Sequence, residues 1–141
     1  MSRYLDTSLL ITALAEEPQT ARIQTWLGAQ GAGTLLISDW VVTEFASALS
    51  IKVRRGELGL DGRARVAGLF TQLRSESLTE RAVSHQNFHD AASYASRPDL
   101  GLRAGDALHI AIAAQAGATI CTLDRRLAEA AQLLAVPAEL I

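Results

Sequence analysis

Residues 102–127 read LRAGDALHIAIAAQAGATICTLDRRL. The first part, residues 104–116, has the apolar spacing of a strongly hydrophobic helix, with Leu108 and Ile112 on one stripe. Residues 119–123 are a short apolar, partly β-branched run, which is typical of a buried strand. Asp124 then begins a further helix that extends to about Leu134. A helix, a buried strand and a helix in close succession indicate a parallel sheet covered by helices.

The same alternation of strands and helices extends over the rest of the chain. Short apolar runs predict further strands at residues 3–6 and 34–37, a weaker one at 78–83 and a last edge strand at 136–140. Between them, helical patterns cover residues 8–15, a segment opened by Pro18, residues 38–55, a segment around Val66 to Leu73, and residues 87–95. The predicted fold class is α/β, a three-layer α/β/α sandwich with a central, mainly parallel sheet.

Length and composition set further expectations. A chain of 141 residues with 49% hydrophobic content has the usual size of one domain, so we expect a single domain over residues 1–141. The one cysteine, Cys121, lies in an apolar run and has no partner for an intramolecular disulfide, which suits a reducing cytosol. No apolar run approaches the ~18 residues of a membrane span. We therefore expect a cytoplasmic protein.

Four acidic residues fall near the predicted carboxyl edge of the sheet. Asp6 closes the first strand, Asp124 follows the strand at residues 119–123, and Asp106 lies near the start of its helix. Glu44 is about one and a half turns into the helix after the second strand. Ligands of open parallel sheets bind beyond the carboxyl ends of the strands. Because Mg²⁺ and Mn²⁺ prefer hard oxygen ligands, the four carboxylates are candidates for one metal site.

Each of these acids also has an ordinary explanation. An aspartate at a junction between strand and helix is most often a helix cap, which covers Asp6, Asp106 and Asp124. Glu44 is harder to explain in this way, because its helix has little polar surface and an unpaired carboxylate there is costly unless a cation meets it. If the site exists, three hydroxyls would support it by orienting carboxylates or a water molecule: Thr7, Ser8 and Thr122.

Four stretches of the sequence resemble the PIN-domain family and, within it, the VapC-type toxins of bacterial toxin-antitoxin pairs. They are YLDTS (4–8), residues 38–49 with Glu44 followed by Phe45, LRAGDALH (102–109) and TLDRRL (122–127). They occur in the family's order and span nearly the whole chain. The middle region, residues 56–100, matches weakly.

The resemblance implies a PIN-like fold and a metal-dependent endoribonuclease. It implies that Asp6, Glu44, Asp106 and Asp124 form an acidic quartet that binds Mg²⁺ or Mn²⁺. It also implies a homodimer that cuts RNA and is blocked by a small antitoxin, with DNA contacted only indirectly, through the antitoxin. Two alternatives are a non-catalytic PIN-fold scaffold, whose signature would be the loss of an acid, and a housekeeping RNA-processing nuclease.

Two other phosphoryl-transfer families also begin with a strand-terminal aspartate, the haloacid-dehalogenase-like phosphatases and the response-regulator receivers. The phosphatase motif requires a second aspartate where this chain has Ser8. Both families require a functional lysine late in the fold, and the only lysine here, Lys52, lies mid-chain on a predicted helix. These residues argue against both families.

The charge of the chain is slightly negative. A formal net charge of -2 and a pI near 5.9 argue against a nucleic-acid binder. If the four acids bind metal, however, the remainder of the chain is net positive. All basic residues except Lys52 are arginines, which suit phosphate contacts, although a coding bias would give the same excess.

Several further residues have two interpretations. His85 and His89 have the spacing of helical metal ligands, but without a third ligand they are expected to be surface residues. His109 would brace Asp106 or pack in the core, and Trp26 and Trp40 suit a core or an interface. Two groups of arginines could contact phosphates or cover a solvated face, and the second is closer to the candidate site: Arg54, Arg55, Arg63 and Arg65, and then Arg103, Arg125 and Arg126.

Overall fold

A computed structural model describes residues 1–141 and contains one five-stranded sheet. The strands are β1 (Arg3–Leu5), β2 (Leu35–Ser38), β3 (Thr79–Arg81), β4 (Thr119–Thr122) and β5 (Ala138–Leu140). Their order across the sheet is β3-β2-β1-β4-β5, and every neighbouring pair is parallel. The prediction of a mainly parallel sheet is confirmed.

Seven helices and a 3-10 turn connect the strands. They are α1 (Thr7–Leu14), α2 (Thr20–Gly28), α3 (Asp39–Arg54), α4 (Leu60–Ser77), α5 (His85–Ala95), the 3-10 turn at Pro98–Leu100, α6 (Ala104–Gln115) and α7 (Arg125–Leu133). None of these helices is long and apolar enough to span a membrane.

The strand order and the handedness of the crossovers place the helices in two layers. From β1 the chain moves outward to β2 and then β3, and right-handed crossovers put α1 to α4 on one face. From β3 it returns past β1 to β4 and then β5, which puts α5, α6 and α7 on the other face. Contacts agree with this division, since α1 packs on α2, α3 and α4, while α5 packs on α6. The direction of winding changes between β1 and β4, and a crevice is expected there.

Burial explains which strands the sequence pattern shows clearly. Tyr4 and Leu5 of β1 are fully buried, as are all four residues of β2 and the last three of β4. The edge strands differ, since all three residues of β3 are exposed and β5 is only partly covered. An apolar run therefore marks the central strands and not the edges.

Three predicted boundaries need correction. Pro18 does not open α2, which begins at Thr20, because the Thr20 hydroxyl first closes a turn by accepting from the Glu17 N–H and donating to the carbonyls of Thr12 and Ala15. Helix α5 begins at His85, two residues before the predicted start, because Ser84 and Asn87 form a capping box. Helix α1 starts at Thr7, immediately after Asp6.

Candidate active site

The candidate site lies at the carboxyl ends of β1 and β4, the two neighbouring strands between which the winding reverses. Their register pairs Leu5 with Cys121, so Asp6, the first residue after β1, lies beside Thr122, the last residue of β4. The Thr122 hydroxyl donates to Oδ2 of Asp6 at 2.6 Å. The strand register thus fixes the first acid of the site.

Asp6 is held on both carboxylate oxygens. In addition to Thr122, the Ser8 hydroxyl donates to Oδ1 at 2.6 Å. Asp6 is 5% exposed, and this burial raises its pKa, while the charge of His109 and the two hydroxyl hydrogen bonds act in the opposite direction. Asp6 occupies the N-cap position of α1, and the nearby Leu9 N–H also lowers its pKa, but its side chain makes no hydrogen bond of regular capping geometry. Capping alone therefore does not account for Asp6, whose two oxygens are held by Ser8 and Thr122.

Glu44 meets two partners across the space between α3 and its neighbours. Its Oε1 accepts from the Thr7 hydroxyl at 2.7 Å and pairs with Nε2 of His109. Burial alone would raise the pKa of Glu44, but the His109 hydrogen bond and charge, together with the Thr7 hydrogen bond, lower it below its ordinary value. His109 is thus the basic partner of Glu44, the carboxylate that lies on a largely apolar helix.

His109 belongs to a buried polar chain that the sequence analysis missed. It is 2% exposed, and its other ring nitrogen, Nδ1, lies 2.8 Å from the Tyr4 hydroxyl, which lies 2.8 Å from Oγ of Ser38. The expectation that His109 braces Asp106 or merely packs needs correction, since its hydrogen-bond partner is Glu44. This contact joins residues 65 positions apart, so nothing in the local sequence around His109 reveals it.

Asp106 is in the first turn of α6, partly buried. Burial raises its pKa, and the negative charges of Asp124, Glu44 and Asp6 raise it further, against the charge of His109. The other three predicted acids are thus all near enough to act on Asp106. The four acids are therefore neighbours in the folded protein, although no hydrogen bond joins Asp106 to the other three.

Asp124 does act as a helix cap. Its Oδ1 accepts from the backbone N–H groups of Arg126 at 2.9 Å and Leu127 at 3.4 Å, at the start of α7. Its own N–H donates to the Thr122 hydroxyl at 2.9 Å, the same hydroxyl that holds Asp6. The side chain is exposed, and Oδ2 takes no part in the cap. Capping and ligand binding are therefore compatible at this residue.

A cavity of about 430 Å³ opens between α3, α6 and α7. Gly105 permits this close arrangement, because an added Cβ would lie 3.2 Å from Oε2 of Glu44 and 3.3 Å from Cζ2 of Trp40. Nε1 of Trp40 is buried without a hydrogen-bond partner. The lining residues combine acidic, basic and apolar side chains: Trp40, Glu44, Gly101, Leu102, Arg103, Gly105, Asp106, Asp124, Arg126 and Leu127.

Comparison with protein families now identifies the fold family. The PIN domain model matches residues 3–133, almost the whole chain. The chain belongs to the PIN-domain family. No curated protein matches the sequence of this PIN domain.

Solved structures with the same fold have low sequence identity to this PIN domain. VapC20 of Mycobacterium tuberculosis, described as a sarcin-ricin loop cleaving toxin, superposes with a TM-score of 0.72 at 16% identity, over 92% of this chain and 95% of that one. VapBC2 of Rickettsia felis, solved with a fragment of promoter DNA, gives 0.68 at 15% identity, over 99% and 98%. A toxin-antitoxin complex from Klebsiella pneumoniae gives 0.61 at 16%, over 87% of each chain.

The donor set fits a hard divalent cation in its chemistry. Glu44, Asp106 and Asp124 line one cavity, and buried Asp6 is near enough to raise the pKa of Asp106. As placed, no group of three or more His, Cys, Asp or Glu side chains forms a ready coordination shell. Like charges favour such a spacing, and because Asp106 and Asp124 retain solvent access, their side chains can still turn toward a ligand held by Glu44, whose Oε1 is fixed by Thr7 and His109.

Of the other candidate residues, some line the cavity and some lie elsewhere on the molecule. His85 and His89 are exposed on α5, where their Nε2 atoms lie 3.0 Å apart. Arg103 and Arg126 line the cavity, but Arg125 does not. Trp40 also lines it, whereas Trp26 packs at the edge of the core with the Arg3 guanidinium 5.8 Å from its ring centroid. The arginines of the second half of α3 and of α4 line other, separate grooves: Arg54, Arg55 and Arg63.

Proposed function

We propose that this PIN domain is a metal-dependent endoribonuclease whose site residues are Asp6, Glu44, Asp106 and Asp124. One observation carries the proposal: Glu44, Asp106 and Asp124 line a single cavity at the carboxyl edge of the sheet, and buried Asp6 lies near enough to raise the pKa of Asp106. A protein gains nothing in stability from such a cluster, because like charges oppose each other and burial opposes each charge. Clustered carboxylates of this kind are typical of functional sites.

The residues divide the work of the proposed hydrolysis. Asp6 is fixed on both oxygens by Ser8 and Thr122, so it can present its charge in one orientation only. Glu44 is kept ionised and oriented by His109 and Thr7, and the more accessible Asp106 and Asp124 complete the ligand set. A bound Mg²⁺ or Mn²⁺ would lower the pKa of a water molecule and offset charge on the scissile phosphate.

The first test is the charge of the two most enclosed aspartates. We expect Asp6→Asn and Asp106→Asn each to reduce Mn²⁺-dependent RNA cleavage by more than about 100-fold, since even the loss of residues that only support metal ligands costs about 10- to 100-fold. The assay is gel analysis of labelled RNA with Mn²⁺ or EDTA, and circular dichroism checks that the fold is kept. Asp61→Asn makes the same change at an exposed position of α4 and should cleave normally. Undiminished cleavage in both site variants would refute the assignment.

We further propose that the protein is the toxin of a type II toxin-antitoxin pair, working as a homodimer on RNA. The toxin part of this proposal is supported by the structural similarity to VapC20, a toxin, and to the Klebsiella toxin-antitoxin complex. The same comparison suggests a small antitoxin partner, through which any contact with DNA would be made.

The second test concerns growth. We expect expression of the wild-type chain alone to arrest bacterial growth, and co-expression of a small protein encoded beside it to relieve the arrest. The Asp106→Asn variant should be harmless at equal protein levels, because it lacks cleavage activity. Normal growth with the active wild-type protein would instead indicate a housekeeping RNA-processing nuclease.

A further inference from the structure

The site cavity contains basic as well as acidic side chains. Arg103 and Arg126 line it together with Glu44, Asp106 and Asp124. Of the three carboxylates, Glu44 has a basic partner in His109, and neither arginine forms an ion pair with any of the three. Because the arginines and the carboxylates of this cavity do not pair with each other, the carboxylates can bind a cation while the arginines bind an anionic group of the same substrate.

Arg126 is held in place by a neutral group. Its Nη2 donates to the carbonyl oxygen of Gly101 at 2.7 Å. This contact uses one of the five N–H donors of the guanidinium and leaves its charge unneutralised. Three other arginines instead pair with a carboxylate: Arg3 with Glu139, Arg74 with Glu80 and Arg97 with Asp99. The Arg126 side chain is thus oriented toward the cavity rim at no loss of charge.

Gly101 leaves room for the guanidinium of Arg126, which lies close to its Cα. Its backbone is left-handed, with φ of 60°, and an added Cβ would lie 3.0 Å from Nη2 of Arg126. Any other residue here would be strained and would press against the guanidinium. The left-handed conformation therefore favours glycine at the position that tethers Arg126, and the missing Cβ leaves room for the guanidinium.

We propose that Arg126, assisted by Arg103, forms a binding subsite for a phosphate of the RNA backbone next to the phosphate that is cut. The inference rests on the proposed nuclease function and adds a substrate contact to it. Three carboxylates line the cavity and repel a phosphodiester, and the two guanidiniums offset that repulsion on the same rim. The planar fork of arginine matches two phosphate oxygens at once, so the subsite positions the chain as well as attracting it.

The adjacent Arg125 provides a matched control. It lies in the same first turn of α7 and is equally exposed, but it does not line the cavity. We expect Arg126→Ala to lower kcat/KM for a single-stranded RNA about 10-fold, mainly through KM, and to reduce the slope of log kcat/KM against log salt by about 1. Arg125→Ala should change kcat/KM less than about twofold. Arg126→Lys should recover part of the loss, since it keeps the charge without the fork.

The outcomes separate the subsite from its alternatives. Equal effects of Arg125→Ala and Arg126→Ala would overturn the proposal in favour of a diffuse basic surface. A loss in Arg126→Ala with an unchanged salt slope, a lowered Tm and no recovery by lysine would also overturn it, showing that the arginine only tethers Gly101. The nuclease function is tested apart, by affinity for the same RNA in EDTA. If the wild type does not cleave but Arg126→Ala alone weakens RNA binding, the phosphate contact of Arg126 stands, whereas the nuclease proposal fails and with it the placement of that contact beside a cut phosphate.

Discussion

At the scale of single residues, Glu44 depends on a chain of buried hydrogen bonds. The chain runs from Ser38 through Tyr4 and His109 to the Glu44 carboxylate, which also accepts from Thr7. Burial raises the pKa of Tyr4, so the phenol stays neutral and can donate a hydrogen bond. A buried polar atom that loses its partner costs about 1–3 kcal/mol. The chain therefore fixes the position of Glu44 as long as each member is satisfied.

We predict that His109→Leu will destabilise the fold by about 1–3 kcal/mol, because Tyr4 and Glu44 each lose one of their two side-chain hydrogen-bond partners. It should also lower kcat for RNA cleavage about 10-fold with little change in KM. The substitution removes a residue that supports the proposed metal ligand Glu44, but it removes no contact with the substrate. His109→Gln, which can still donate to Glu44, should recover part of kcat. Urea unfolding and steady-state kinetics measure the two effects.

The exposed His89 of α5 is the matched control for this change. His89→Leu should leave both kcat and the urea midpoint near their wild-type values. If His109→Leu lowers stability but leaves kcat unchanged, His109 is a packing residue only, and the role given to it here is wrong.

The sequence predicts where the acids fall along the chain but not what holds them. Asp6, Asp106 and Asp124 follow from strand and helix boundaries, which are local patterns. The partners of Glu44 do not, because Thr7 and His109 lie 37 and 65 residues away and meet it only after α3, α1 and α6 have packed. Tyr4 has no local signal at all, since a fully buried aromatic residue in a strand is normal for a core.

At the scale of elements, the predictable strands are those that bury both faces. In β2 and β4 a continuous apolar run reflects burial on both sides of the sheet. Strand β3 contains Thr79, Glu80 and Arg81, all exposed, and its position depends on backbone pairing with β2. Such an edge strand leaves little trace in the side chains, which is why its predicted bounds were the widest.

A salt-bridge network joins three elements around the turn between α1 and α2. Oε1 of Glu17 lies 2.9 Å from Nζ of Lys52 on α3, and its Oε2 accepts from the Thr12 hydroxyl on α1 at 2.9 Å. Burial would raise the pKa of Glu17, but hydrogen bonds from Lys52 and Thr12 and the lysine charge lower it below its ordinary 4.5. The ionised form is therefore favoured by folding.

We predict that Glu17→Gln will lower the free energy of unfolding by about 0.5 kcal/mol at pH 7, within the usual range for an ion pair that keeps some solvent access. Because the pKa of Glu17 is lowered in the folded protein, its contribution is full above the unfolded pKa and is lost as the pH falls through the folded pKa. Urea unfolding at pH 7 and near pH 3 should thus show a difference from wild type only at the higher pH. Glu129→Gln, on the exposed face of α7, serves as control, and an equal loss at both pH values would contradict the assignment.

At the scale of the whole molecule, the winding of the sheet gathers the acids of the site, and their clustered negative charge lowers the stability of the folded protein. The reversal between β1 and β4 brings Asp6 and Asp124 to adjacent strand ends, and packing of α3 against α6 across Gly105 adds Glu44 and Asp106. The four negative charges then share one region, and the raised pKa of Asp106 expresses the cost of keeping it ionised there. A fold selected for stability alone would remove one of these charges.

The last prediction follows from this opposition of stability and function. Because its pKa is raised, ionised Asp106 destabilises the folded state, so Asp106→Asn in EDTA should increase Tm by roughly 2–4 °C. With Mn²⁺ added, the wild type should have the higher Tm and Asp106→Asn the lower. A ligand that binds only the folded state stabilises it by about 2.7 kcal/mol at 100 times its Kd, so wild-type Tm should climb with Mn²⁺ while Asp106→Asn stays nearly flat. Differential scanning calorimetry in EDTA and across a Mn²⁺ series measures both, with Asp61→Asn expected to follow the wild type. A variant that is less stable than wild type in EDTA, or that responds equally to Mn²⁺, would show that Asp106 is an ordinary residue of the first turn of α6.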